Sequence, residues 1–121
     1  MKSLKTIINE AKQHGFSRRN TADKRIDSPK DLVWDKDEIA VVDYMLKDRR
    51  FGLHAAKFGY EDGGHIYFDD DALVFNATTV ARTKAKTTVD DLIKAVLKRK
   101  KLPKHPDWTP AFGKELKRRY G

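Results

Sequence analysis

The sequence predicts an α+β fold: a small antiparallel sheet of three to four strands, packed by one helix near the N-terminus and another in the C-terminal third, with basic arms. Three observations carry that expectation. Apolar residues recur at helical spacing in residues 4–14 and 89–100, the middle of the chain alternates short β-branched and aromatic runs with Gly- and Asp-rich reversals, and 121 residues with 39% hydrophobic content suffice for one modest core. The chain therefore reads as a single domain over 1–121, with a basic arm or loop at 16–30 and a basic C-terminal extension at 98–121.

In the first segment Leu4, Ile7, Ile8 and Ala11 line one helical face, Ser3 can take up a free N–H of the first turn, and Gly15 can end the helix in the left-handed conformation. From 16 to 30 the periodicity disappears. This stretch holds Arg18, Arg19, Lys24 and Arg25 and is longer than most connections inside a compact domain, which marks it as a functional or disordered loop. Residues 35–50 admit two readings. Asp35 with Glu38 resembles a capping box, and Lys47, Arg49 and Arg50 before Gly52 suit a helix C-terminus. The β-branched and aromatic Ile39, Val41, Val42 and Tyr44 tip the balance towards a strand, with 47–50 as the turn into the next.

Residues 53–60 and 65–68 flank Glu61-Asp62-Gly63-Gly64 and are expected to pair as a hairpin, because those glycines supply the positive backbone angles of a tight reversal. A second reversal at Asp69, Asp70 and Asp71 leads into a strand at 72–76. In 89–100, Val89, Leu92, Ile93, Val96 and Leu97 form an apolar stripe, opened by Thr88 with Asp91. Pro103 and Pro106 enforce an extended stretch, and Thr109 before Pro110 caps a last helix carrying Phe112 and Leu116. The expected core is Leu4, Ile7, Ile8, Val41, Leu53, Ile66, Phe68, Leu73, Phe75, Leu92, Ile93, Val96 and Leu97.

Charge is the most informative property. Lys and Arg number 26 against 18 Asp and Glu, a formal net charge of +8, which favours anionic partners. The surplus is segregated. Residues 1–34 hold 8 basic and 4 acidic side chains, 35–76 hold 5 and 10, and 77–121 hold 13 and 4, so the ends are basic and the middle acidic. Without cysteine there is no disulfide framework and no thiolate metal site. No run approaches a membrane span, and the N-terminus lacks the continuous apolar segment of a secretory signal, so a cytoplasmic protein is expected.

The strongest functional candidate is the C-terminal third. Lys114, Lys117 and Arg118 share one face of a helix, with Lys98, Arg99, Lys100, Lys101 and Lys104 shortly before them, and clusters of this kind neutralise phosphates. A solvated face with favourable helix ends is the competing account. Arg18, Arg19, Lys24 and Arg25 form a second cluster of the sort seen in arms that fold against nucleic acid, with a plain loop as its alternative. Phe58 and Tyr60, with Tyr67 across the expected hairpin, invite comparison with base-stacking strands of RNA-binding sheets. Their acidic surroundings favour core or cross-strand packing instead.

His65 with Asp69 to Asp71 suggests a metal site, and Asp43, Glu61 and Lys57 can be drawn as a nuclease, but neither spacing matches a motif and a solvated turn explains the aspartates. The serines lie in no nucleophile elbow, the glycines form no phosphate-binding loop, and His14, His54 and His105 fall in different elements. Trp34 and Trp108 read as packing anchors or interface residues. The sequence thus favours a non-enzymatic nucleic-acid-binding accessory protein without cofactor, its partner being DNA, RNA or a nucleoprotein assembly. A protein-binding module or inhibitor docking on a larger assembly is the first alternative, and a small metal-dependent nuclease the second.

Overall fold

The computed structural model describes residues 24–61 and 65–120. Within them the fold is α+β: four helices, α1 (Glu38–Lys47), α2 (Arg49–Ala56), α3 (Val89–Lys98) and α4 (Pro110–Tyr120), and three strands, β1 (Ile66–Asp69), β2 (Ala72–Phe75) and β3 (Thr78–Arg82). The strands form one antiparallel sheet in the order β1-β2-β3. The helix expected at 4–14, with core candidates Leu4, Ile7 and Ile8, lies outside the described residues.

Residues 35–50 correct the sequence reading, because they fold as a helix and the start of a second rather than as a strand. The buried residues of α1, Ala40, Val41, Val42, Met45 and Leu46, recur at helical spacing, so one helical face buries all of them, whereas a strand would turn alternate residues outwards. That burial outweighs the modest helix propensity of the β-branched residues. The cap is Asp37 rather than Asp35: its carboxylate accepts from the Ile39 and Ala40 N–H groups at 2.8 and 3.2 Å. Asp48 then serves both helices. Its N–H donates to the Tyr44 and Met45 carbonyls, ending α1, while its carboxylate accepts from the Arg50 and Phe51 N–H groups at 3.0 and 3.3 Å, opening α2.

The expected strand at 53–60 is corrected for the same reason. Phe51, Gly52, Ala55 and Ala56 are the buried residues of α2, again at helical spacing, and Leu53 is only half-buried. The hairpin between 53–60 and 65–68 is therefore absent, and β1 pairs forwards with β2. The reversal at Asp70 and Asp71 is the one the sequence indicates, with Asp70 at φ 55°. A strand that the sequence left unassigned, β3, follows through Asn76 and Ala77, both at positive φ (46° and 68°), as a two-residue hairpin whose twist matches the sheet.

α3 starts on the expected capping box, the Thr88 hydroxyl and the Asp91 carboxylate each accepting the other residue's N–H at 3.0 Å. Its buried Val89, Leu92, Ile93 and Val96 meet Ile66, Leu73 and Phe75 of the sheet together with Val41, Met45, Phe51 and Tyr60 in one core. Edge-to-face contacts of Phe75 with Phe51 (5.8 Å) and Tyr60 (5.0 Å) tie α2 and its exit to the central strand. Phe68 and Leu97 are partly buried against this core. No helix of the described residues is long and apolar enough to cross a membrane.

Candidate nucleic-acid interface

The C-terminal basic segment is fastened to the body by contacts that begin at the end of α2. Gly59, at φ 93°, turns the chain so closely past the segment that a Cβ there would lie 2.7 Å from the His105 Cβ. The Tyr60 hydroxyl donates to the Pro103 carbonyl, the His105 N–H to the Phe58 carbonyl at 2.7 Å, and the Asn76 side-chain amide to the Lys104 carbonyl at 3.0 Å. Leu102 is buried between these ties. Burial pushes the Tyr60 phenol well above its ordinary value, which keeps it protonated and able to donate.

Trp108 extends the attachment to α4. Its indole N–H donates to the Lys57 carbonyl at 2.9 Å, and Gly113 lets α4 approach so closely that a Cβ there would stand 2.7 Å from that indole nitrogen. Thr109 caps the helix as its sequence suggests, its hydroxyl accepting from the Phe112 N–H at 3.0 Å. Leu116 is fully buried, and Arg119 joins Glu61 at 3.3 Å. The hydrogen bonds fix the backbone and the apolar side chains face inwards, so the cations are left outside.

The sequence-derived candidates fall into three groups. Arg18 and Arg19 lie outside the described residues. Lys24 and Arg25 are exposed beside α1, with Arg25 paired to Asp27 at 3.3 Å, and no contact of the described residues joins them to the C-terminal cluster. Lys98, Arg99, Lys100, Lys101, Lys104, Lys114, Lys117 and Arg118 are all exposed. α3 and α4 each pack on α2 and not on one another, so these cations flank α2 and are linked by the segment around Lys104.

Their pairing differs in a way that matters chemically. Arg118 and Arg119 share Glu115, at 2.6 and 3.2 Å, and hydrogen bonds from Arg118 above all hold that carboxyl below its ordinary range. The Lys104 ammonium sits 3.9 Å above the Trp108 ring, a cation–π contact that fixes its position without cancelling its charge. Lys98, Arg99, Lys100, Lys101, Lys114 and Lys117 form no ion pair with any described residue. Elsewhere Arg50 pairs with Asp48 and Asp90, Lys94 with Asp90, and Arg82 with Asp71, while Lys47, Lys57, Lys84 and Lys86 also form no ion pair with a described residue but stand apart from one another along the chain rather than in a run.

The rival sites are dispersed. Tyr60 is 1% exposed in the core rather than on a sheet surface, so it does not offer a stacking face for a base. His65 packs edge-to-face on His105 at 4.6 Å, Asp71 pairs with Arg82, and Glu61 with Arg119. Among the described residues no group of three or more His, Asp or Glu gathers in a way that could hold a metal ion. The sequence reading missed Arg119, which stands one helical turn from Glu115 as plainly as Arg118 does, and it missed the position of Lys104, which depends on a ring that only the fold brings beneath it. No family model, curated protein or solved structure matches this chain.

Proposed function

We propose that this protein is a non-enzymatic nucleic-acid-binding accessory protein whose C-terminal basic segment contacts phosphates. One observation carries the reading: six cations, Lys98, Arg99, Lys100, Lys101, Lys114 and Lys117, stand exposed without an ion pair among the described residues, on a segment whose backbone is tied to α2. Leaving like charges together raises the free energy of the folded chain, and a polyanion lowers it by releasing its condensed counterions as the cations replace them. Holding the backbone in place beforehand reduces the ordering cost of binding. The reading takes the protein to be cytoplasmic and its partner to be DNA or RNA, alone or within a nucleoprotein assembly.

Titrating duplex DNA and RNA against the protein over a range of salt concentrations tests the reading. The expected result is a linear fall of log K with log salt, steeper by about 0.9 for each duplex phosphate contacted. Binding that does not respond to salt, or no binding at low salt, would refute it.

A further inference from the structure

On a different face, the large apolar side chains left exposed among the described residues are Leu32 and Trp34, at 44% and 55% exposure. They sit on fixed backbone. Leu32 bridges to Thr88, and the Val33 N–H donates to the Thr87 carbonyl at 2.8 Å, so the strand-like segment is held beside the start of α3. Trp34 opens onto a cleft of about 490 Å³ whose apolar walls are Val33, Val41 and Phe68. Asp35, Glu38, Asp70 and Asp71 also line it.

The charge of this cleft is unbalanced. Asp71 is neutralised by Arg82 at 3.0 Å, and the cation that lines the cleft, Lys36, directs its ammonium to the Arg25 carbonyl at 3.5 Å. Glu38 and Asp70 have no ion pair among the described residues. Burial first, then the negative charges of Asp37 and Asp70, raise the Glu38 carboxyl above its ordinary value, which marks a place where an incoming cation is favoured.

We propose that the cleft between Trp34 and the β1–β2 turn docks a segment of a protein partner that carries lysine or arginine next to an apolar residue. Charge complementarity selects the sign. A phosphate backbone would meet Glu38 and Asp70 as like charges, whereas an ammonium or guanidinium gains both the carboxylates and the indole face. The exposed apolar surface selects a peptide over a small ion: Leu32 stands outside the cleft, two residues before Trp34 and just ahead of the turn that carries it, where a free organic cation would leave it uncovered and a peptide chain could cover both. The site is thus a second interface, separate from the basic segment and independent of whether that segment binds nucleic acid.

The test uses the full chain and two matched synthetic peptides, identical except that one carries two arginines and the other two glutamates beside a central leucine pair. NMR follows the Trp34 indole resonance and the amides of Asp70 and Thr83. The arginine peptide is expected to shift all three saturably, the glutamate peptide to leave them in place, and Trp34→Ala or the double change Glu38→Gln, Asp70→Asn each to weaken binding at least about 10-fold while the remaining spectrum stays folded. Trp34 is exposed and Asn tolerates the left-handed backbone of position 70, so neither variant threatens the fold. Equal shifts from both peptides, or none from the arginine peptide up to about 1 mM, would overturn the proposal. So would argininamide binding as tightly as the peptide, or a concentration-dependent self-association that Trp34→Ala abolishes.

Discussion

The C-terminal basic segment and the Trp34 cleft are built on opposite principles of attachment and charge. Between Lys98 and Gly121 the sequence holds nine Lys and Arg against two carboxylates, Asp107 and Glu115, and the segment is anchored by a half-buried Trp108, whose indole N–H donates to the Lys57 carbonyl, and by a fully buried Leu116. Around the cleft the surplus is carboxylate, and the tryptophan stays outside. A buried anchor serves the fold, and an exposed one is left for something else. The two regions show that the segregation of charge along the chain survives folding: part of the acidic middle, Asp35, Glu38, Asp70 and Asp71, converges at the β1–β2 turn and the start of α1, and the basic end stands at the end of α3 and on α4, either side of α2.

The largest expected effect comes from removing what both regions share. Leu92 is 1% exposed in the common core, and Leu92→Ala should cost about 2–5 kcal/mol in chemical denaturation, with both faces lost together. Gly113→Ala separates them. Its new Cβ would meet the Trp108 indole nitrogen at 2.7 Å, and overpacking of this kind costs roughly 1–3 kcal/mol. Hydrogen exchange should then show α4 loosened while the amides of β1 and β2 keep their protection. Equal loosening of the sheet would mean that the C-terminal segment is part of the main cooperative unit.

Asp48 gives the next effect, of about 1–2 kcal/mol for Asp48→Ala, because it caps α2. It also gives a pH dependence. Burial pushes its carboxyl up, but hydrogen bonds from Arg50 and from the Phe51 N–H outweigh burial and hold it below the ordinary range. A depressed folded value means that its contribution is present above the unfolded carboxylate range, near pH 4, and is lost as pH falls through the folded value. Asp48→Asn, which can still cap, should show a smaller loss of melting temperature on acidification than the parent. The smallest effect sharpens the basic side alone: Glu115→Gln releases Arg118 and Arg119 and should tighten nucleic-acid binding a few-fold, whereas a weaker complex would show that the pairs position the arginines for contact.

Much of this architecture was legible in the sequence. The helix at 89–100, the reversal at Asp70 and Asp71, and the Thr109-Pro110 start of α4 are local signals, and local chemistry decided them. Residues 35–50 were not legible in the same way because two local signals conflicted, the Asp35–Glu38 cap with a basic end arguing for a helix and the β-branched composition for a strand; 53–60 was read as a hairpin strand from the glycines after it, whereas the burial of Phe51, Gly52, Ala55 and Ala56 on one helical face decides the fold there. The hairpin at Asn76 and Ala77 was missed since alanine seldom adopts positive φ, and the sheet context overrides that preference. For the candidate interface, the exposed basic residues were readable from charge alone. The lock beneath them, Gly59 to His105 and Gly113 to Trp108, joins residues more than forty apart or presses a helix onto a ring, and no local pattern encodes it.

The central claim is that the basic segment, and not the cleft, meets phosphate. It is tested most directly by comparing two variants in one salt titration against duplex nucleic acid: Lys114→Gln, Lys117→Gln, Arg118→Gln in one, and Trp34→Ala, Glu38→Gln in the other. The account predicts that the first loses up to about 0.9 in logarithmic slope per contact and on the order of 100-fold in affinity at 0.1 M salt if all three touch phosphate, while the second binds as the parent does. An unchanged slope in a folded first variant, or loss of binding in the second, would contradict it.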